Sequence, residues 1–296
     1  MLLEIENLNV KFGTYTALDI RTPIAIERGD RIGIIGSNGA GKSTMIKSIL
    51  GLVAYDGTIR SSLRPDQIAT HMQFNEYTDN VPIRYIMEAI LHTDIAKNQK
   101  LRNLIDYFEF EGCLKKKYGK LSGGQKQRFT IIMILMQDAP LTIYDEVTSG
   151  LDFETRQKLV EKLVEWYRGK DAALCIVSHY YEELEQLADK LLILDKGRVI
   201  DYGYREDLFQ KYCQRAVIVL DACEKNERLT EKYTKLESPE HLLVLACASE
   251  EEEREITVSL IAHNVNFKRS NHDIESIYIN AKRAYEMRQE ESRYAG

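Results

Sequence analysis

No apolar run in the chain approaches the roughly 18–20 residues needed to span a bilayer, so any membrane role is expected to come through a partner. Basic charge is not in excess. Forty Lys and Arg stand against 46 Asp and Glu, a net charge of −6, which gives no footprint for a nucleic-acid partner, and none is expected. Cysteine is scattered and odd in number: Cys113, Cys175, Cys213, Cys223 and Cys247, with no CxxC pair. That favours reduced thiols in a cytoplasm over disulfides or a metal site. The amino terminus runs from Leu2 and Leu3 straight into Glu4 and Glu6, so no signal peptide is expected. There is no internal repeat and no low-complexity tract. What remains, 44% hydrophobic and 29% charged over 296 residues, is ordinary for a globular protein. The length suits one large domain, or a large one with a small one.

Strand-like and helix-like segments alternate for the first two thirds of the chain. Residues 2–10 alternate as a half-buried strand, and about 17–27 form another, ended by Arg28-Gly29-Asp30. Residues 31–35 read as a buried strand running into a glycine-rich loop, with a helix over 43–52. Short strands are expected at 57–60 and 67–73, helices at 82–96, 98–110 and 122–137, and a buried strand at 141–144. An amphipathic helix over 153–168, a strand at 173–177, a helix at 181–189 and a hairpin of 191–194 with 198–202 follow. This order implies an α/β sheet with helices packed on it. After about residue 213 the composition changes. Apolar strand-like runs at 216–221 and 241–247, a helix over 250–263 opened by four glutamates, and a last helix over 272–289 make a small α+β unit.

Three short motifs carry chemistry. Residues 36–44 read Gly-Ser-Asn-Gly-Ala-Gly-Lys-Ser-Thr. The glycines let backbone N–H groups turn in on phosphate oxygens. Lys42 offers a mobile cation to the β- and γ-phosphates, and the Ser43 hydroxyl can ligate Mg²⁺. A chance match in a chain this long is roughly 1%. Residues 141–146, Leu-Thr-Ile-Tyr-Asp-Glu, form a buried strand ending in two acids. Asp145 would hold Mg²⁺ directly or through water, and Glu146 would polarise the attacking water as general base. Residues 121–125, Leu-Ser-Gly-Gly-Gln, match by chance roughly a few times in ten thousand. Ser122, Gly123 and Gly124 sit just before a predicted helix and can present a hydroxyl, N–H groups and a dipole to an anion. Two phosphate-binding helix starts are redundant for one nucleotide. They make sense if the second serves a neighbour's nucleotide.

With these motifs in order, the chain resembles the ATP-binding subunit of an ABC transporter over about residues 1–213. The resemblance implies a P-loop NTPase core, a mixed sheet flanked by helices. It also implies a small antiparallel sheet and a helical subdomain at about 74–136. Residues 214–296 would then be a C-terminal α+β extension. Gly36 to Thr44 correspond to Walker A, with Ser37, Asn38, Gly39, Ala40, Gly41, Lys42, Ser43 and Thr44 holding ATP. Asp145 and Glu146 correspond to Walker B, and Leu121 to Gln125 to the signature, with Ser122, Gly124 and Gln125 facing a partner's nucleotide. Gln73 corresponds to the Q-loop glutamine, which senses Mg²⁺ and attacking water. Asp152 corresponds to the D-loop aspartate that crosses the dimer interface, and His179 to the switch histidine facing the γ-phosphate. Phe12 stands where the family stacks an aromatic on adenine, with Tyr15 as its rival. Thr142 and Tyr144 in the Walker B strand and Gly150 in the D-loop depart from the family pattern without removing an acid. The stretch from Lys42 to Gln73 is short, which implies a trimmed antiparallel sheet.

The resemblance implies an ATPase at the cytoplasmic face of the cell membrane. It would close head to tail with a second ATP-binding chain, identical or a paralogue. It would drive a polytopic transmembrane permease beside Gln73. Residues 273–279, Asp-Ile-Glu-Ser-Ile-Tyr-Ile, resemble a segment of exporter-type subunits, so export is the expected direction. The alternatives are a non-transport ABC ATPase acting on DNA or the ribosome, and a module that binds ATP without hydrolysing it. The first usually carries an inserted coiled coil or a second ATPase domain, and the second is opposed by intact Glu146 and His179.

Overall fold

The computed structural model describes residues 1–72 and 77–294. The chain opens with strands β1 (Leu3–Phe12), β2 (Tyr15–Ile20) and β3 (Ile24–Ile26). In β1 the residues Leu3, Ile5, Leu8 and Val10 all turn inward. That set breaks simple alternation between Ile5 and Leu8. Asn7, at φ 51°, absorbs the extra residue, and the pairing shifts register between Glu6 and Asn9, as a bulge does. The single strand expected over 17–27 is instead two. Pro23 lies in the break and has no N–H for the ladder.

Next come β4 (Arg31–Ile35), helix α1 (Lys42–Ile49), β5 (Asp56–Ser61) and β6 (Ile68–His71). Strand β5 joins β1, β2 and β3 in a four-stranded antiparallel sheet. Its outer face is held by Arg60, which pairs with Glu4 at 3.0 Å and Glu6 at 2.9 Å, a charged edge of the kind that discourages sheet growth.

Helices α2 (Ile83–Ile90), α3 (Gln99–Tyr107) and α4 (Gly123–Leu135) form the helical region. The helix expected over 82–96 stops at Ile90, and Ile95–Lys97 is a separate 3₁₀ turn. Asp94 causes the break by capping Ala96 N, since a short acidic side chain bonds its own backbone in preference to continuing a helix. Phe129 anchors the region, with the rings of Tyr77 and Tyr118 at 4.9 and 5.8 Å.

The chain then returns to the main sheet through β7 (Leu141–Asp145), α5 (Phe153–Tyr167), β8 (Ala173–Val177), α6 (Tyr181–Leu187), β9 (Lys190–Asp195) and β10 (Arg198–Tyr204). The six strands lie in the order β10-β9-β4-β8-β7-β6. All neighbours are parallel except β10, which runs antiparallel to β9. The fold is the expected mixed α/β sheet. Ile34 and Asp145 both sit opposite Val177, so β4, β7 and β8 end level. Their carboxyl ends form one edge, where open α/β sheets bind ligands.

Helix α7 (Arg205–Cys213) had no counterpart among the expected elements. Beyond it lie β11 (Ala216–Asp221), α8 (Glu224–Leu229), β12 (Lys235–Leu236), β13 (Leu242–Cys247), α9 (Glu250–Ala262), β14 (Phe267–Ser270) and α10 (Ile274–Tyr294). The strands pair antiparallel in the order β12-β13-β11-β14, a split β-α-β arrangement. Strands β12 and β14 and helix α8 were not foreseen, being too short to show periodicity. Ser249 caps α9 and Glu250 to Glu253 fill its first turn, where the helix dipole favours acids. One face of this sheet packs Ile218, Leu220 and Leu245 on Ile256 and Leu260 of α9. On the other, Val217 and Val244 join Ile274, Ile277 and Ala281 of α10 and Phe209 of α7.

Candidate nucleotide-binding site

Strand β4 ends at Ile35 and helix α1 begins at Lys42, so residues 36–41 must turn sharply around a small space. Two positions demand glycine. Gly36 (φ 157°) lies so close to β9 that a Cβ would meet Leu194 O at 2.3 Å. Gly41 (φ 101°) has Leu18 Cδ2 2.5 Å from where a Cβ would be. A side chain at either would push the loop away from its ligand.

The loop lines an open cleft of about 610 Å³. Asn38, Gly39, Ala40, Gly41, Lys42, Ser43 and Thr44 border it, together with Glu146 and His179 and with Phe12, Tyr15 and Ala17 of the β1–β2 hairpin. Phe12 and Tyr15 pair across the hairpin and are 53% and 63% exposed. Both rings are available for stacking, and their amphipathic or apolar faces are unpacked. Ala17 was not foreseen, because an alanine carries no chemical signal.

Lys42 is buried, and its Nζ donates to Gly36 O at 2.6 Å and Ser37 O at 3.1 Å. Burial pulls its pKa down, against the opposing charges of Glu146 and Asp145. Ser37 does not line the cleft. Its hydroxyl donates to Asp195 at 3.5 Å. The Ser43 hydroxyl donates to Asp145 Oδ2 at 2.9 Å. Asp145 is buried, which raises its pKa, and the Ser43 bond partly offsets the rise.

Glu146 follows directly, with φ 53°, a backbone region that is sparsely populated by side-chain-bearing residues. Its N–H donates to Val177 O at 3.0 Å, and its Oε1 lies 2.9 Å from His179 Nε2. Strands β7 and β8 thus bring a carboxylate and an imidazole together from 33 residues apart in sequence. His71, at the end of β6, was missed from sequence. It is buried between Gln127 Oε1 at 2.9 Å and the Asp145 carbonyl at 3.3 Å, and burial lowers its pKa. Gln73 lies outside the described residues.

Four predicted site residues do not line this cleft and gather elsewhere. Ser122 caps α4 in a reciprocal box with Gln125: Gln125 N donates to Ser122 Oγ at 3.3 Å, and Ser122 N donates to Gln125 Oε1 at 3.2 Å. Asp152 caps α5, accepting from Thr155 N at 2.9 Å and Thr155 Oγ1 at 2.8 Å. Gly124 joins the two caps, since a Cβ there would sit 3.0 Å from Thr155 Cγ2. Ser122 and Asp152 are exposed. The chain therefore carries two separate clusters: a cleft with the phosphate loop and the acids, and a surface pair of helix starts.

Comparison with known proteins agrees with this geometry. Residues 22–149 match the family model described as ABC transporter. The methionine import ATP-binding protein MetN of Bartonella henselae is 30% identical over 229 residues, 70% of this chain and 66% of that protein. MetN of Corynebacterium diphtheriae is 32% identical, over 66% of this chain and 62% of that protein. The linearmycin resistance ATP-binding protein LnrL of Bacillus subtilis is 29% identical over 76% of each. The chain spans about 62–66% of the length of these MetN relatives. Among solved structures, an ATP-binding subunit of an ABC transporter superposes with a TM-score of 0.64 at 24% identity. It covers 78% of this chain and 99% of the other. An ATP-binding cassette solved as a dimer with ADP and phosphate gives 0.59 at 22%, covering 69% and 98%. These two likenesses carry the fold, and the relatives with the matched loop and acids carry the family. The chain belongs to the ABC transporter family as an ATP-binding domain of its ATPase class.

Proposed function

We propose that two ATP-binding chains, identical or paralogous, close head to tail around two ATP molecules and hydrolyse them to drive a transmembrane permease. The observation that carries this reading is the separation of the two clusters. The helix starts at Ser122 and Asp152 lie on the surface, outside the cleft of Lys42 and Glu146. A second chain's cluster would complete the cleft. Within the cleft, the loop N–H groups and Lys42 take the β- and γ-phosphates. Phe12 or Tyr15 stacks on the adenine. Ser43 and Asp145 place two hard oxygen donors side by side, which suits Mg²⁺, and the ion supplies charge neutralisation on the phosphates when bound. Among the described residues there is no cluster of three metal-ligating side chains, so phosphate and water oxygens would complete its shell. Glu146 accepts a proton from the attacking water as it adds to the γ-phosphorus and ADP leaves. His179, hydrogen-bonded to Glu146, orients that carboxylate and contacts the γ-phosphate. Loss of the γ-phosphate removes contacts across the dimer and lets it reopen.

No helix among the described residues is long and apolar enough to cross a membrane. A polytopic permease would provide the path, with this chain docked on it at the cytoplasmic face. The residues at Gln73 would sense nucleotide and pass opening to that partner. The MetN relatives lean to import, so import is the first reading of direction. Export, expected from residues 273–279, is the second reading. Residues 214–296 would form a C-terminal accessory α+β domain.

Two experiments test this reading. Purified Glu146→Gln is expected to form an ATP-stabilised dimer by size-exclusion chromatography with light scattering. Its hydrolysis should fall about 10²–10⁴-fold, the usual contribution of a general base. A monomer with ATP and a wild-type rate would remove Glu146 from its role. Native chain drawn from membranes should carry a polytopic protein with it, and co-purification of ribosomes or DNA would replace transport with the alternative reading.

A further inference from the structure

Three buried side chains behind the cleft belong to none of the motifs. Glu183 on α6 is 2% exposed, Thr148 1% and Ser178 5%. Glu183 Oε2 accepts from Thr148 Oγ1 at 2.8 Å and from Ser178 Oγ at 2.7 Å. Ser178 Oγ also accepts from Tyr180 N at 3.0 Å. Thr148 lies two residues after Glu146, and Ser178 directly precedes His179. The Glu146–His179 bond closes the far side. Chain and hydrogen bonds therefore form a closed ring: Glu146, Thr148, Glu183, Ser178, His179 and back to Glu146. Arg156 of α5 pairs its charge with the same carboxylate, Nε 3.5 Å from Oε1, without a hydrogen bond between these two atoms, and its guanidinium lies 3.7 Å over the Tyr180 ring. The helix carrying Arg156 is the one that Asp152 caps.

A buried carboxylate is costly unless its oxygens are bonded and its charge paired. A side chain of this kind tends to persist where geometry must be fixed. The geometry to be fixed here is evident. Glu146 occupies a left-handed backbone region without being glycine, a conformation that persists only when its surroundings over-determine it. His179 must meet it from another strand. In the cleft the two loops meet through this 2.9 Å side-chain contact and through the Glu146 N–H on Val177 O at 3.0 Å.

We infer that Glu183 is a positioning residue for hydrolysis, locking the loop after β7 to the loop after β8 so that Glu146 and His179 meet at the γ-phosphate. The inference rests on the ATPase reading of the cleft. Glu183 is buried and does not line the cleft. It acts through Thr148 and Ser178, while its ion pair with Arg156 faces the helix that Asp152 caps.

The test uses the full-length chain, with steady-state ATP hydrolysis and binding of a fluorescent ATP analogue measured on each variant. Thr148→Val keeps the shape and removes one arm of the lock, Ser178→Ala removes the other, and Thr148→Ser restores the lost hydroxyl. The first two are expected to lower kcat between about tenfold and a hundredfold, with analogue affinity within about twofold of wild type, the signature of misplaced rather than missing groups. Thr148→Ser is expected to recover the rate. Unchanged rates in Thr148→Val and Ser178→Ala with an active wild type would overturn the lock alone. So would losses in which binding and melting temperature fall in step with rate. If Thr148→Val does not fold, Ser178→Ala with Glu183→Gln decides the same question by the same split. An inactive wild type that also fails to bind the analogue would overturn the ATPase reading itself.

Discussion

The nucleotide cleft and the C-terminal unit are built from the same elements but store their energy differently. At the cleft, buried charges and unusual backbone crowd together. Lys42 and Asp145 are buried with shifted pKa values, and Gly36, Gly41 and Glu146 hold positive φ. Such features cost stability and persist at functional sites. In the C-terminal unit, apolar strand faces pack on helices from both sides. Its charges pair at the surface, as Arg215 and Arg269 do with Glu253. The first region is shaped around something absent from the chain itself. The second satisfies itself. The difference teaches where to look for chemistry, and three substitutions can break or sharpen it.

The largest effect is expected at the seam. Ile277 of α10 is fully buried in the core that α10, α7 and the inner face of β11 and β13 share. Ile277→Ala should cost about 2–5 kcal/mol of unfolding free energy, the usual range for such a truncation, measured by urea denaturation. Because the apolar cluster runs from the main sheet through α10 to β11 without interruption, a single cooperative transition is expected. Two transitions, only the lower one shifted, would instead make 214–296 an independently folding domain. Nucleotide binding should survive at temperatures where the variant is folded.

Lys42→Ala inverts that pattern. Loss of a charge-assisted contact to phosphate should cost about 1.5–3 kcal/mol of ATP affinity, read by calorimetry. The melting temperature should hardly move, since the Lys42 ammonium donates to two carbonyls of its own loop. A large loss of stability with little loss of affinity would mean that Lys42 braces the loop more than it binds phosphate.

These contrasts explain how much was legible in the sequence. The cleft could be read because each step of the phosphate loop is set by a backbone that must pass close to β9 and β2, so Gly36 and Gly41 admit no substitute and the spacing is fixed. The acids of β7 were legible because they stand at the end of a wholly buried strand. What could not be read was partnership. Nothing in the spacing of Thr148, Ser178 and Glu183 announces that β7 and β8 lie side by side. Ala17 and His71 look like packing residues until the sheet order is known. In the C-terminal unit, β13 and α9 were visible through their apolar run and acidic first turn. Strand β14 and helix α7 were not, because packing accepts many sequences and β14, with the sequence Phe-Lys-Arg-Ser, is mostly polar. The bulge at Asn7 hid inside an apparently regular strand.

The smallest expected effect lies where the two regions meet. Lys282 of α10 reaches Asp195 at 3.8 Å, and Asp195 also accepts the hydroxyl of Ser37 in the phosphate loop. Removing Lys282 leaves a buried carboxylate with one fewer cation, close to where a triphosphate binds. The sign follows from Coulomb's law: an uncompensated negative charge disfavours the nucleotide. The Lys282 side chain is 34% exposed, so solvent screens the pair, and Lys282→Ala should weaken ATP binding by at most about 1 kcal/mol. Lys282→Arg should restore affinity. The difference between the alanine variant and wild type should shrink as salt rises, because exposed charge pairs are screened over about 10 Å at 0.1 M. An affinity unchanged at low salt would mean that α10 touches the cleft's edge without tuning it, and the comparison would become a division between two regions that share a core and nothing else.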